Sequence, residues 1–270
     1  MSIEYSKSGK VLIKCTDDEE SVIVPDGVTQ IKAKAFTGCT NLKRIILPES
    51  LKNIGVSAFE KCTSLKKIVL PSGITRICSQ TFLNCQALEE VILPKNLCKI
   101  GDMAFTACTS LQTIRIPDTV RQIDSYAFSS CDNLHELQYR NLKIRMKFTE
   151  WNEYTYLERV IKMLVREDYS MRVIASVKYD LLWQMFFQNP KNTELKDYIR
   201  RYFSNIFLNL LDRDDAVSVQ KVLDDYDFIT KNNIDKFIRY AIDNQKLQCQ
   251  ILLTNYKAEH DLQKPKNLFL

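Results

Sequence analysis

Residues 42–64 read LKRIILPESLKNIGVSAFEKCTS, and this stretch decides the fold because its pattern returns every 23 residues. Self-similarity with a period of about 20–50 residues is the signature of a solenoid, in which stacked repeats bury each other's apolar faces. A proline, a phenylalanine and a cysteine each recur five times at the 23-residue period, as Pro25, Pro48, Pro71, Pro94 and Pro117, as Phe36, Phe59, Phe82, Phe105 and Phe128, and as Cys39, Cys62, Cys85, Cys108 and Cys131.

Each repeat is predicted to contain three short elements. Ile45 and Leu47 alternate with an outward position, as in a strand buried on one face. Pro48 ends this strand because proline has no N–H to give to a ladder. Residues 51–54 are predicted to form a second extended segment. Residues 57–62 are predicted to form a turn of helix, because the apolar residues there stand close to helical spacing.

The pattern LxxIxLPxxLxxIgxxAFxxCxxL, over about residues 22–140, resembles the BspA-like leucine-rich repeat family, the 23-residue class. Thr81 replaces the alanine of the pattern, and Lys32, Cys78 and Asp124 replace its glycine. The resemblance implies an α/β fold, a leucine-rich-repeat solenoid of short parallel strands. Known members of the family include bacterial surface adhesins, so the resemblance also implies protein binding.

The chain is predicted to divide into four segments. Residues 1–21 are an N-terminal hairpin cap, residues 22–149 the solenoid, residues 150–263 an all-α helix-pair domain, and residues 264–270 a frayed tail. The change at residue 150 is marked by the absence of glycine beyond it and by apolar residues at helical spacing. Helices are predicted at residues 151–165, 171–177, 181–187, 194–211, 217–226, 234–242 and 247–256.

The predicted helical domain is weakly ankyrin-like. Leu223-x-x-Tyr226 returns 30 residues later as Leu253-x-x-Tyr256, although the Thr-Pro-Leu-His signature of ankyrin repeats is missing. An aromatic cluster in this half is predicted to be helical core rather than a binding site, and it comprises Trp183, Phe186 and Phe187.

Residues 142–148 are predicted to form the edge strand that closes the solenoid, because apolar and basic residues alternate there. The alternative is a patch that binds phosphate or an acidic surface. The outward basic residues in either case are Lys143, Arg145 and Lys147.

Composition excludes several classes of protein. The net charge of +5 is mild and spread along the chain, which is not typical of a dedicated nucleic-acid binder. No run of about 18 apolar residues occurs, so no membrane span is predicted. The N-terminal residues lack the pattern of a secretory signal. We therefore expect a cytoplasmic location, or the cell surface if a signal peptide has been removed.

The nine cysteines are predicted to be reduced rather than disulfide-bonded. Five of them are copies of one repeat position, so their side chains point the same way and fit disulfide geometry poorly. Small buried thiols are the favoured interpretation, because free cysteine packs as a small apolar residue. A column of metal ligands is the alternative.

No catalytic, cofactor or metal site is predicted. His135 and His260 are the only histidines, and neither is placed beside a nucleophile and an orienting group. The chain has no glycine-rich phosphate loop and no CxxC pair. Adjacent acidic residues, such as Glu89-Glu90, are predicted to be solvated.

The outward face of the repeat strands is the predicted binding site, because the strand face of a solenoid is its usual extended binding surface. One outward column changes from basic to acidic along the array, and the next begins with β-branched residues. The predicted partner-binding residues are Arg44, Ile46, Lys67, Val69, Glu90, Ile92, Thr113, Arg115, Glu136 and Gln138.

The predicted function is a non-catalytic protein–protein interaction scaffold, with another protein as its partner and no cofactor. One alternative is an exported surface adhesin of the BspA type. Another is an enzyme, or a nucleic-acid binder that would use the three basic residues of the closing strand together with Arg200 and Arg201. No feature of the sequence indicates the oligomeric state.

Overall fold

The computed structural model describes residues 3–15, 19–145, 159–160, 163–164 and 167–262. Residue contacts divide the chain into two units, Met1–Val177 and Lys178–Leu270. The boundary predicted between residues 149 and 150 lies outside the described residues. So do most of the predicted helix 151–165 and the predicted tail.

The first unit is a solenoid of short parallel strands, as predicted. Each repeat contributes one strand to each of two faces, and equivalent strands of successive repeats pair in parallel. The strands are β1 Ile3–Tyr5, β2 Val11–Cys15, β3 Ser21–Ile23, β4 Gln30–Ile31, β5 Arg44–Ile46, β6 Asn53–Ile54, β7 Lys67–Val69, β8 Arg76–Ile77, β9 Glu90–Ile92, β10 Lys99–Ile100, β11 Thr113–Ile116, β12 Gln122–Ile123, β13 Glu136–Tyr139 and β14 Leu142–Arg145.

Antiparallel strands lie at both ends of the solenoid. At the start, β1 pairs with β2 as a hairpin, and β2 in turn pairs in parallel with β4. At the end, β14 folds back antiparallel on β13. Leu142 and Ile144 of β14 are buried, which confirms the predicted edge strand over its described part. Residues 146–148 of that prediction lie outside the described residues.

A turn follows the proline of every repeat and redirects the chain to the second face. In the repeat quoted above, the N–H of Leu51 donates to the carbonyl of Pro48 at 3.0 Å. The same bond recurs in the next repeat from Ile74 to Pro71, at 3.1 Å. Leu51 and Ile74 are both buried. The proline thus ends the strand and positions the next apolar residue in the core.

The predicted turn of helix at residues 57–62 is wrong. Ser57 and Lys61 have φ angles of 55° and 59°, in the left-handed region that an α-helix excludes. The backbone instead bonds to the following repeat, with the N–H of Phe59 donating to Thr81 at 2.9 Å. Three-residue turns bring apolar residues to nearly the same spacing as a helix does, which explains the error.

The core of the solenoid contains a stacked column of the five repeat phenylalanines. Neighbouring rings lie 5.1–5.5 Å apart between centroids and within 11° of parallel. The five repeat cysteines are also buried, as predicted. Burial raises the pKa of the Cys85 and Cys131 thiols to about 12. These columns hold successive repeats in register.

The helical unit follows the predicted pattern with three changes. One helix, which begins only at Ala175, replaces the predicted helices at residues 171–177 and 181–187, so the prediction for residues 171–174 is wrong. The predicted helix at 194–211 is split at Tyr202, whose φ and ψ of −110° and 17° leave the helical region. The last helix, predicted at 247–256, extends to Leu262. The helices in the described residues 167–262 are α1 Ala175–Gln188, α2 Thr193–Arg201, α3 Phe203–Asp212, α4 Ala216–Asp225, α5 Ile234–Asp243 and α6 Leu247–Leu262. None of them is both long and apolar enough to cross a membrane.

Aromatic side chains form the core of the helical unit. Trp183 is buried, and its indole N–H donates to the carbonyl of Ile206 at 3.1 Å. Phe186 is also buried and meets the Trp183 ring edge-on, while Phe187 is half-buried and stacks against it. The prediction that this cluster is helical core is confirmed.

Candidate functional site

The outward face of the first strand in each repeat carries a contiguous row of exposed apolar side chains. Strand alternation buries Ile45, Ile68 and Val91 and turns the residue after each one outward. We call the row Ile23, Ile46, Val69 and Ile92 the apolar stripe, and its members are 68%, 42%, 49% and 43% exposed. Parallel pairing sets Ile23 beside Ile46 and Val69 beside Ile92. The predicted strand register is therefore confirmed.

A row of charged side chains runs beside the apolar stripe, two residues earlier on each strand. We call Arg44, Lys67 and Glu90 the charged row. Lys67 and Glu90 form an ion pair of 2.7 Å, while Arg44 makes no ion pair within the described part of the chain. Exposed ion pairs of this kind contribute only about 0.2–1 kcal/mol to stability. The charged row therefore contributes little to the stability of the fold.

The last two strands continue both rows with polar side chains. Thr113 lies beside Glu136, and Arg115 lies beside Gln138. The amide of Gln138 donates to the Glu136 carboxylate at 3.0 Å, which holds these two half-buried side chains in place. The ten residues predicted from the sequence thus lie on the outward side of their strands, eight of them exposed and these two half-buried.

A groove opens on this face where the strand ladder is interrupted. Within the described residues, hydrogen-bonded pairing runs from β3 through β5 and β7 to β9, then resumes from β11 to β13 and β14. The groove between β9 and β11 has a volume of about 740 Å³. Four of the predicted residues line it, and they are Glu90, Ile92, Thr113 and Arg115.

Three charged residues that line the groove are not among the predicted partner-binding residues, and they are Glu89, Lys95 and Asp118. Lys95 and Asp118 follow the strand-ending prolines of their repeats and line the groove beside Arg115. A smaller cavity of about 220 Å³ lies on the other side of Arg115, toward Gln138 and Arg140. Lys95 and Asp118 each stand one position after a repeat proline, but the repeat pattern gives no signal that a groove opens beside them.

Two basic residues of the nucleic-acid alternative, Lys143 and Arg200, lie near carboxylates. Lys143 lies 4.0 Å from Glu136. Arg200 faces the carboxylate of Asp227, with both oxygens at 3.2 Å. Arg201 ends α2 beside Arg200, Arg145 ends β14, and Lys147 lies outside the described residues. Arg200 thus forms an exposed ion pair with a carboxylate of the same chain.

The two histidines make local contacts. The exposed ring of His135 hydrogen-bonds to the carbonyl of Asn133 at 3.1 Å. The His260 ring stacks on Tyr256, with 3.8 Å between centroids. In the part of the chain that the structure describes, no three histidine, cysteine, aspartate or glutamate side chains are grouped as metal ligands.

Residues 12–156 match the family described as the BspA type leucine rich repeat region, in six copies. The chain belongs to this family. The match extends beyond the predicted limits of about 22 and 140. At the N-terminal side it includes β2 from Leu12, the hairpin strand that pairs with the first repeat.

Solved structures of other leucine-rich repeat proteins are similar to this BspA type chain. The T. pallidum leucine rich repeat protein TpLRR is 30% identical, with a TM-score of 0.46, over 52% of this chain and 78% of that one. A leucine-rich repeat protein from Bacteroides ovatus is 30% identical, with a TM-score of 0.46, over 51% of this chain and 40% of that one. The pneumococcal vaccine antigen PcpA is 26% identical, with a TM-score of 0.49, over 52% of this chain and 35% of that one. No curated protein matches the sequence.

Proposed function

We propose that the protein is a non-catalytic protein–protein interaction scaffold that binds its partner on the strand face of the solenoid. The observation that carries the proposal is the apolar stripe, four β-branched side chains that stay 42–68% exposed in adjacent positions. Contiguous exposed apolar surface marks interaction sites in soluble proteins. The family assignment supports a role in protein interaction, because stacked repeats form extended binding surfaces.

The energetics of the stripe favour a protein partner. Burying a valine or isoleucine completely contributes about 1.5–3 kcal/mol, so covering the exposed half of each stripe residue contributes roughly 1 kcal/mol. The charged row beside it carries both signs, as in the polar rim of a protein interface. A nucleic acid would instead require a surface dominated by basic side chains, because its phosphates dominate affinity.

Several finer predictions accompany this proposal. The helical unit is proposed to be a separate, weakly ankyrin-like domain, with the segment boundaries predicted from the sequence. The antiparallel hairpin at the N-terminus is proposed to act as a cap, since solenoid ends expose strand edges. A cytoplasmic location stays a prediction, with the cell surface as its alternative.

The test uses a double substitution in the apolar stripe. Wild-type protein is used as bait, its partner is identified by mass spectrometry, and the affinity is then measured with purified components. Ile46→Asp with Ile92→Asp is expected to abolish binding, because two carboxylates would be buried against an apolar partner surface. The matched control is Val56→Asp, which alters a β-branched residue that is 44% exposed outside the strand face.

The outcomes separate a binding surface from a structural one. The control should melt within about 2 °C of wild type and the double variant within about 4 °C, because each exposed substitution usually changes stability by less than about 0.5 kcal/mol and each kcal/mol shifts the melting temperature by about 2–4 °C. A double variant that folds and still binds with wild-type affinity would refute the strand-face site. An unfolded double variant would also contradict the proposal, because these side chains would then be part of the core.

A further inference from the structure

We propose that the partner presents an extended segment to the apolar stripe, and that a carboxylate of this segment pairs with Arg115. This inference rests on the proposed function and specifies the partner of the same face. It follows from the width of the stripe, the charges at its groove end and the distance between its two ends.

The stripe is one side chain wide. Along each strand the exposed residues alternate with buried ones, so the next exposed row lies two residues away, about 6.8 Å at the rise of a strand. That next row is the charged row. An α-helix with side chains is about 10–12 Å across. It would therefore cover both rows and desolvate the Lys67–Glu90 pair. An extended segment projects a single row of side chains on each face and fits the stripe without covering the ion pair.

Arg115 stands in line with the apolar stripe, at its groove end. It takes the outward position on β11 that Ile92 takes on β9, and it lies beside Gln138 of the next strand. The Arg115 side chain is exposed and has no hydrogen bond or ion pair with any residue that the structure describes. A guanidinium in this position offers a planar set of donors that a carboxylate matches in two parallel hydrogen bonds.

The unpaired charged groups that line the groove carry a net positive charge. Glu90 is already paired with Lys67, and Glu89 lies 3.9 Å from Lys66. The remaining charged groups that line the groove are Arg115, Lys95 and Asp118, and among described residues these three make no ion pair. Two unpaired cations against one unpaired anion favour an incoming carboxylate over an incoming amine.

The length of the segment follows from strand spacing. The four paired strands from Ile23 to Ile92 span roughly 14 Å at about 4.8 Å per step. The step across the groove to Arg115 is at least as wide, so the whole line is roughly 19 Å or more. An extended chain covers about 3.3–3.6 Å per residue. The segment therefore has at least about six residues, with apolar side chains at alternate positions and an aspartate, a glutamate or the C-terminal carboxylate at the Arg115 end.

The probe for this inference is a phage-displayed library of random linear heptapeptides, selected against the whole purified protein. We expect the selected peptides to share alternating apolar positions followed by an acidic residue. The selected peptides are then synthesised, and their affinities are measured by fluorescence anisotropy. Arg115→Glu should weaken binding at least tenfold, and changing the acidic peptide residue to lysine should restore binding to that variant. Arg76→Glu is the matched control, because Arg76 is an exposed arginine on β8 of the other face, and it should change affinity less than twofold.

The outcomes distinguish this inference from the proposed function. Peptides that lose binding to Ile46→Asp but show no acidic preference would overturn the inference and leave the strand-face site standing. Peptides that bind Ile46→Asp as well as wild type would count against both. A library that yields no selected peptide would overturn the extended segment, while the partner assay above still judges the strand face. Arg115→Gln serves if Arg115→Glu does not fold, and it should also weaken the acidic peptides.

Discussion

Removing one ring from the middle of the phenylalanine column should destabilise the solenoid more than removing a ring at its end. Phe82 is fully buried and stacks on Phe59 at 5.5 Å and on Phe105 at 5.3 Å. Phe-to-Ala changes in cores cost about 3–5 kcal/mol. In a unit of this size each kcal/mol lowers the melting temperature by about 2–4 °C. Phe82→Ala should therefore lower the melting temperature by about 6–20 °C.

The end of the column provides the matched comparison. Phe36 is equally buried but stacks on Phe59 alone within the phenylalanine column. An aromatic pair contributes about 0.5–1.5 kcal/mol beyond its burial. Phe36→Ala should consequently cost less than Phe82→Ala by about that amount. Thermal melts followed by far-ultraviolet circular dichroism measure both changes. A Phe82→Ala melting temperature that matches wild type within error would refute the reasoning, because the column could not then be the core.

Two further predictions concern the cysteines. In the native protein, a thiol-specific reagent at pH 8 should modify the exposed Cys98 at least roughly 100-fold faster than the buried Cys85, because the thiolate is the reactive form and burial disfavours it. Peptide mass mapping after timed quenching measures the ratio of the two rates. Equal rates would contradict the buried cysteine column. Burial raises the pKa of Cys85 from its ordinary value of 9.0 to about 12, so this thiol's contribution to stability is complete below pH 9 and is lost as the pH rises toward 12. The melting temperature of the wild type should therefore decline from pH 9 upward, and that of Cys85→Ala should decline less steeply. If the two proteins show the same dependence of melting temperature on pH, the ionisation of Cys85 is not coupled to unfolding.

The outward face of each strand was predictable because alternating side chains allow only two registers, which place opposite sets of residues in the core. Pro48 fixes where the strand ends, and the apolar residues on either side of Ile46 must both face the core. A shift of one residue would expose Ile45 and bury Arg44, at the cost of an unpaired buried charge. The outward position of Ile46 therefore follows from local pattern alone, and the same holds for its copies in the other repeats.

The turn at residues 57–62 and the groove were not predictable in this way. Left-handed φ angles at Ser57 and Lys61 depend on bonds to neighbouring repeats, which local spacing does not reveal. The interruption between β9 and β11 has no signal in the repeat either, because the residues on both sides keep the pattern. Lys95 and Asp118 enter the candidate site only through that interruption. The missing strand pairing between β9 and β11 thus brings Lys95 and Asp118 into the candidate site, and the sequence pattern did not predict it.

The recurrence of cysteine, rather than another small residue, has a physical cause in the carbonyl of the repeat phenylalanine. The Phe59 carbonyl accepts a bond from the N–H of Cys62 in its own repeat at 3.2 Å. It accepts a second from the thiol of Cys85 in the next repeat at 3.1 Å. A buried carbonyl has two lone pairs, and a thiol is a weak donor that packs as an apolar group. Alanine would leave the second lone pair without a donor. The phenylalanine and cysteine columns therefore recur together, because each repeat's thiol completes the hydrogen bonding of the repeat before it.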